Sequence, residues 1–306
     1  MNKYNIIISF LWKFAERTSV QGISFIVSIC LARLLQPSEY GEIALVMVFI
    51  NIANIIVDGG FNTSLIQAKK ADAKDFSTIF YTTLFVAIVS YIILFTAAPM
   101  IAKFYDKANL CSVVRVISLC LVAYAINSIQ RAYISKNMQF KKLFYSNLLA
   151  TIGAGAVGIV LAYQGYGIWA LVYHYIVSAY LMCFVMFLTL KWRPSLCFSM
   201  VSLKKLYGYG WKILITNFII SLFVNIRSLL IGKFYTPSML AYFERGKQFP
   251  ALIMDNINTS IQTVLFPVFS SKQDERNNMR NMVSRSIKTS SLVIFPLLIG
   301  LFSVAT

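Results

Sequence analysis

Charged residues are scarce in this 306-residue sequence, because Asp, Glu, Lys and Arg together account for 13% of it and hydrophobic residues for 58%. Soluble domains contain roughly 25% charged residues. One histidine, His174, and five cysteines without a Cys-x-x-Cys pair provide little material for a zinc site or a disulfide framework. These shortages argue against a soluble enzyme, a disordered tail or a disulfide scaffold, and we expect no metal and no cofactor.

Acidic residues are especially few, since 11 Asp and Glu oppose 28 Lys and Arg and the formal net charge is +17. In a soluble protein such an excess indicates nucleic-acid binding. In a membrane protein it marks the loops on the cytoplasmic side. The mean hydropathy of +0.70 favours the membrane, so no nucleic-acid partner is expected.

Long apolar runs dominate what is present. A helix that spans the bilayer needs ~20 mostly apolar residues. The run from Leu143 to Leu190 has no charged residue and is divided by Gly165-Tyr166-Gly167, which predicts a helical hairpin. The fold class is therefore an all-α polytopic membrane protein. Nine spanning helices are predicted, at residues 8–35, 42–67, 76–102, 108–130, 143–164, 167–190, 207–234, 239–271 and 289–306.

Basic residues concentrate in alternate loops, which predicts the orientation. Five segments on one side hold 20 of the 28 basic residues. Basic loops stay in the cytoplasm, so the N-terminus is predicted to be cytoplasmic. The 20 residues are Lys3, Lys13, Arg17, Lys69, Lys70, Lys74, Arg131, Lys136, Lys141, Lys142, Lys191, Arg193, Lys204, Lys205, Lys212, Lys272, Arg276, Arg280, Arg285 and Lys288.

An internal repeat links the first predicted helix to the seventh. Trp12-Lys13 recurs 199 residues later as Trp211-Lys212, and Pro37-Ser38 recurs 200 residues later as Pro237-Ser238. The spacing predicts duplication of a six-helix unit, with both copies in the same orientation and related by an axis along the membrane normal. A weaker echo links Asp58 to Asp255.

The repeat predicts the domain organisation. Residues 1–190 form an N-terminal six-helix lobe, and residues 207–306 form the first three helices of a C-terminal lobe. Residues 191–206 join them as a cytoplasmic linker, which the pattern fits equally as an interfacial amphipathic stretch or as an ordinary basic loop. Because an apolar run is still open at Thr306, we expect the sequence to be a fragment of a longer protein.

Four motifs carry a family resemblance. The segments are Ala32 to Gly41 (ARLLQPSEYG), Asp58 to Phe61 (DGGF), Gly165 to Val172 (GYGIWALV) and Leu265 to Ser270 (LFPVFS). They resemble, in order and spacing, the motifs of polysaccharide transporters in the multidrug/oligosaccharidyl-lipid/polysaccharide (MOP) flippase superfamily. The resemblance implies a two-lobe helical bundle like that of the MATE transporters.

The resemblance also implies a function. A Wzx-type flippase of this kind moves undecaprenyl-diphosphate-linked oligosaccharide across the bacterial inner membrane by alternating access, for O-antigen, capsule or exopolysaccharide assembly. Its expected partners are that lipid-linked substrate, membrane lipids, a polysaccharide polymerase and a chain-length regulator.

Two alternatives remain open. A drug/cation antiporter of the same superfamily would have the same fold, with carboxylates rather than arginines and lysines in its cavity. A membrane glycan polymerase or ligase would need catalytic groups on a sizeable loop. The loops here are short and no catalytic spacing occurs, so the protein is predicted not to be an enzyme.

Ionisable groups inside spans are the candidate site residues, because they are costly in lipid. Arg227 and Arg17 are the candidates for binding the diphosphate of the carrier, since a guanidinium binds phosphate with two parallel hydrogen bonds. Asp58, beside Gly59-Gly60, and Asp255, near the middle of the membrane, are the candidates for ion coupling. Arg17 and Arg227 fit a snorkelling role at the membrane surface as well.

Overall fold

A computed structural model describes residues 3–68, 71–248, 250–251, 254, 284, 288, 291–292, 294–300 and 302–303. The chain divides into two compact units, Met1–Ala241 and Tyr242–Thr306. In the second unit the described residues are helical. In the first, the described residues form helices and their connections, in agreement with the predicted all-α class. The helices are α1 (Lys3–Leu34), α2 (Pro37–Asp58), α3 (Phe61–Gln67), α4 (Ala73–Phe104), α5 (Asn109–Ile117), α6 (Cys120–Lys136), α7 (Phe140–Tyr163), α8 (Ile168–Thr189) and α9 (Met200–Phe234).

Six segments of the described residues are long and apolar enough to cross a membrane, and they match the predicted spans between residues 42 and 234. The chain is therefore a multi-pass membrane protein. Most of the predicted span 239–271, including Asp255, and part of the predicted span 289–306 lie outside the described residues. The six segments are Pro37–Gln67, Ala73–Phe104, Asn109–Lys136, Phe140–Tyr163, Ile168–Thr189 and Met200–Phe234.

The second span is broken where the sequence predicts an irregular helix. Gly59 and Gly60 have φ values of +56° and +69°, which side chains other than glycine rarely adopt. The break separates α2 from α3. A Cβ at Gly60 would also overlap the carbonyl oxygen of Gly210 on α9. Two glycines therefore allow the break and the close approach of α9.

The predicted hairpin between residues 143 and 190 is confirmed. Helix α7 ends at Tyr163 and α8 begins at Ile168. Gly165 and Gly167 have φ values of +81° and +57° and so reverse the chain. The two helices then pack along their length, with Gly158 against His174. His174 Nδ1 lies 3.0 Å from the carbonyl oxygen of Ala154, as expected of a packing residue.

The fourth span differs from the prediction at its end. We placed the end at residue 130, yet α6 continues to Lys136. The physical reason is that Lys136 Nζ donates hydrogen bonds to the carbonyl oxygens of Leu65 at 2.9 Å and Ala68 at 2.7 Å, at the C-terminus of α3. Lys136 therefore caps the C-terminus of α3 from within α6 and does not lie in the predicted loop.

The two proline turns of the sequence repeat have the same local structure. Residues 31–40 and 231–240 each consist of the end of a helix, a two-residue bend and a new helix that begins at proline. In the first turn, the backbone N–H of Gln36 donates to Glu39 Oε2 at 2.8 Å. In the second, the backbone N–H of Met239 donates to Thr236 Oγ1 at 3.3 Å. Both turns therefore stabilise the start of the new helix.

Residues 190–199 are not helical, and α9 begins inside the segment predicted as a linker, at Met200. Trp192 inserts between α4 and α6, stacked on Tyr133 at a centroid distance of 5.8 Å. The backbone N–H groups of Ser195 and Ser199 donate to hydroxyls at the start of α4, each at 3.1 Å. Leu206, on the first turns of α9, is buried in the core formed by α3, α4 and α6.

Candidate polar site inside the helical bundle

Helix α6 carries a polar stripe. Tyr124, Ser128 and Arg131 are spaced i, i+4 and i+7, which places them on one face. Helix α6 packs against α2, α3, α4, α7 and α8. Arg131 nevertheless remains exposed. The stripe therefore has an exposed end at Arg131 and a half-buried middle at Ser128.

A buried carboxylate on α1 lies near one end of this stripe. Glu16 is only 7% exposed. Lys13 Nζ lies 2.7 Å from Glu16 Oε2, and the Asn147 amide on α7 donates to Glu16 Oε1. Arg131 lies within electrostatic range of the same carboxylate. Its Nη2 is 3.0 Å from the sulfur of Met182, a weak acceptor. One acid and two bases thus meet where α1, α6, α7 and α8 converge.

A second carboxylate meets the middle of the stripe. Ser128 Oγ donates to Asp58 Oδ1 at 2.5 Å. The Asn62 amide donates to the Ser128 carbonyl at 3.3 Å. Asp58 also accepts a hydrogen bond from the backbone of Gly60. The break in the second span therefore directs the backbone N–H of Gly60 at the carboxylate of Asp58.

The two carboxylates differ in their counter-charges. Glu16 has Lys13 at 2.7 Å. Among the ion pairs of the described residues, none involves Asp58. Its hydrogen bonds come from neutral donors. A half-buried carboxylate with neutral partners is suited to gaining a proton or a cation.

The structure places the two predicted arginines on different helices, α1 and α9. Arg17 follows Glu16 on α1 and is half-buried, whereas Arg227 is exposed on α9. The buried face of α9 carries Ser221 and Ser228 instead. Within the part of the chain that the structure describes, no hydrogen bond or ion pair joins Arg17, Arg227 and Asp58, and Asp255 lies outside it. Their roles remain predictions.

Arg131 is the functional candidate that sequence reasoning missed. The sequence prediction ends the fourth span at residue 130 and therefore places Arg131 in a cytoplasmic loop. The available signal was the helical spacing of Tyr124, Ser128 and Arg131, which continues the periodicity past that residue.

Comparisons with known proteins agree with this architecture. The family described as polysaccharide biosynthesis protein matches residues 30–306. The teichuronic acid biosynthesis protein TuaB of Bacillus subtilis is 27% identical over 83% of this chain and 53% of its own length. The succinoglycan biosynthesis transport protein ExoT of Rhizobium meliloti is 21% identical over 96% of this chain and 60% of its own. The chain thus spans little more than half the length of these relatives.

Two further comparisons concern lipopolysaccharide and fold. The lipopolysaccharide biosynthesis protein WzxC of Escherichia coli is 21% identical over 96% of this chain and 60% of its own length. An inward-facing multidrug resistance MATE family transporter of the MOP superfamily superposes with a TM-score of 0.63, at 16% identity, over 96% of this chain and 72% of that one. The structural similarity confirms the predicted fold.

Proposed function

Because the chain belongs to the polysaccharide biosynthesis protein family, we propose that it is part of a MOP-superfamily flippase for lipid-linked oligosaccharide. The substrate is the undecaprenyl-diphosphate-linked oligosaccharide of O-antigen, capsule or exopolysaccharide assembly. The protein moves it across the bacterial inner membrane by alternating access, with its N-terminus in the cytoplasm. A polysaccharide polymerase and a chain-length regulator act on the product.

The family match over residues 30–306 carries this proposal. The names of ExoT and WzxC, a succinoglycan transport protein and a lipopolysaccharide biosynthesis protein, support the substrate class. Arg131, an exposed arginine on a helix that contacts five other helices, supports an anionic substrate group, because a diphosphate offers its guanidinium bidentate hydrogen bonds.

In this proposal the charged groups have separate tasks. Arg227, with Arg17 as the second candidate, binds the diphosphate, and Arg131 is a further candidate cation near Glu16. Asp58 and Asp255 couple transport to an ion gradient. For Asp58 the support is its set of neutral hydrogen-bond partners, Ser128 and the Gly60 backbone, which leave the carboxylate able to take up a cation.

The test uses the full-length protein in its native host. Deleting its gene should cause lipid-linked oligosaccharide to accumulate on the cytoplasmic leaflet, and should remove the surface polysaccharide. Expression of the full-length protein should reverse both effects. Normal surface polysaccharide in the deletion strain, together with increased sensitivity to cationic drugs, would instead support a drug/cation antiporter.

A further inference from the structure

A groove lies on the outer side of the bundle, away from the polar stripe. Its volume is about 320 Å³, and it is lined by α4, α6, α8 and the connection that follows α8. Tyr180, Phe184 and Phe187 of α8 form one wall, and each is at least 40% exposed. An exposed, aromatic rim in a multi-pass membrane protein is suited to contact with lipid chains. The volume lies at the lower end of the range of small-molecule sites.

The end of the groove is closed by a fixed element. Trp192 and Pro194 line it there. Trp192 packs edge-on against Phe76 at 6.0 Å and Phe80 at 6.1 Å, and it stacks on Tyr133. The hydroxyl of Ser77 accepts a hydrogen bond from the Ser195 backbone at 3.1 Å. The groove is therefore preformed rather than a gap between loose side chains.

Two polar atoms of the groove walls lack partners. Among the described residues, Gln130 Oε1 and Trp192 Nε1 are buried without a hydrogen bond. Gln130 is only 4% exposed. Buried polar groups are nearly always paired, so these two atoms are the groups of the groove wall that a complementary ligand atom would satisfy. An indole N–H requires an acceptor, such as an ester carbonyl.

Positive charge lies at the closed end. The Arg193 guanidinium carbon is 4.0 Å from the centroid of the Phe187 ring, a residue of the groove wall. Lys191 is also exposed there. Residues 190–199 include no Asp or Glu. Arginine and lysine at the membrane end of an apolar groove are complementary to a lipid phosphate.

We propose that this groove binds an acidic phospholipid, whose acyl chain lies against α8 and whose phosphate contacts Arg193. The ester carbonyl accepts the hydrogen bond of the Trp192 indole. A polyprenyl phosphate has no ester carbonyl, so the groove favours a glycerolipid over the carrier of the transported glycan. The site is independent of the proposed transport function and lies in the leaflet at the end of α8 that the charge distribution predicts to be cytoplasmic.

The experiment measures quenching of tryptophan fluorescence in the purified full-length protein. Brominated phosphatidylglycerol, brominated phosphatidylcholine and a brominated polyprenyl phosphate are titrated separately into the detergent solution. The contribution of Trp192 is the difference between wild type and Trp192→Phe. We expect this contribution to be quenched at least twofold more strongly by phosphatidylglycerol than by either other lipid. Equal quenching by all three, or stronger quenching by the polyprenyl phosphate, would overturn the proposal.

Two variants locate the effect. Arg193→Gln should abolish the preference for phosphatidylglycerol. Arg115→Gln is the matched control, because Arg115 also stacks on an aromatic ring, Phe95 at 4.4 Å, but neither residue lines the groove. It should leave the preference unchanged. Loss of the preference in both variants, or in neither, would contradict the assigned site.

A third variant fills the groove. Cys183 lines it on α8, and Cys183→Phe places a ring in the space that the acyl chain would occupy. Quenching of Trp192 by phosphatidylglycerol should fall at least twofold, to the level seen with phosphatidylcholine. Unchanged quenching in a variant that retains its helical circular dichroism would show that the lipid binds elsewhere.

Discussion

Burial distinguishes two Lys–Glu pairs that have the same spacing along a helix. Lys13–Glu16 and Lys247–Glu244 are both three residues apart, at 2.7 and 3.1 Å. Glu16 is 7% exposed and has Asn147 and Arg131 nearby, whereas the side chain of Glu244 is 29% accessible. Of the two carboxylates, only that of Glu16 is a buried counter-charge for neighbouring basic residues.

We expect Glu16→Ala to lower the free energy of unfolding by about 1–2 kcal/mol, because it leaves the part-buried Asn147 amide without its acceptor and removes the partner of Lys13. Glu244→Ala should cost under about 1 kcal/mol, as partly exposed pairs do. Thermal unfolding of the full-length protein in detergent measures both. Equal losses in the two variants would mean that Glu16 is not part of an interior charge cluster.

Arg227 tests substrate recognition at the residue scale. If it binds the diphosphate, Arg227→Ala should reduce glycan export at normal expression about tenfold or more, the effect of losing hydrogen bonds to a charged group. Arg227→Lys should restore only part of the export, since a lysine lacks the planar fork of donors. A snorkelling arginine would be replaced fully by lysine. Full export with alanine at both Arg227 and Arg17 would end the hypothesis.

At the scale of the helix, the glycine pair between α2 and α3 is constrained both by its backbone angles and by its neighbours. Gly60→Ala places a side chain at a φ of +69° and against the Gly210 carbonyl. The left-handed backbone alone costs about 1–2 kcal/mol. Gly208→Ala is the matched control, because Gly208 lies inside α9 with nothing within 4 Å of an added Cβ. It should stabilise the protein by up to about 1 kcal/mol.

Melting temperatures of the two full-length variants provide the comparison. A fall for Gly60→Ala with no fall for Gly208→Ala is expected. If both variants melt like the wild type, the left-handed break is absent from the protein in solution. Because the same break directs the Gly60 backbone at Asp58, loss of stability should be accompanied by loss of export.

The elements that could be predicted from sequence depend on local signals. Gly59-Gly60 and Gly165-Tyr166-Gly167 predicted the broken span and the hairpin, because glycine adopts positive φ angles more readily than other residues. The end of α6 was missed, although the helical spacing of Tyr124, Ser128 and Arg131 continues past residue 130. In the sequence alone, Lys136 and Arg131 resemble loop residues. The acceptor of Lys136 lies on α3, and sequence does not show that α3 packs beside α6. The candidate site depends on such contacts between helices, so the sequence indicated Asp58 as a site residue but did not indicate Arg131.

The orientation of the whole molecule in the membrane remains a prediction. Reporter fusions after Lys74 and after Lys142 should both indicate the cytoplasm, because these residues belong to the segments that hold most of the basic residues. A fusion after Lys107, between α4 and α5, is the control and should indicate the exterior. An exterior signal from either of the first two would overturn the topology and the predicted leaflet of the lipid groove.

The two proline turns of the sequence repeat pack against each other. This contact allows alternating access to be tested by cross-linking. A Cβ at Gly41 would overlap the backbone of Pro237, and Leu45 Cγ lies 3.1 Å from the Cβ position of Gly232. Helices α2 and α9 belong to different predicted lobes. If the lobes separate at this end during transport, a bond across it should stop the cycle.

We therefore expect the disulfide formed in Leu45→Cys/Gly232→Cys to reduce export at least tenfold, and reduction to restore it. The control pair is Gly158→Cys/His174→Cys, which joins α7 to α8 within the predicted N-terminal lobe, where the Cβ of His174 is 3.2 Å from an added Cβ at Gly158. That bond should leave export unchanged, because a lobe that moves as a rigid body keeps the distance fixed. Export that continues with the first disulfide fully formed would show that α2 and α9 stay together throughout, and the lobes would then have to separate elsewhere.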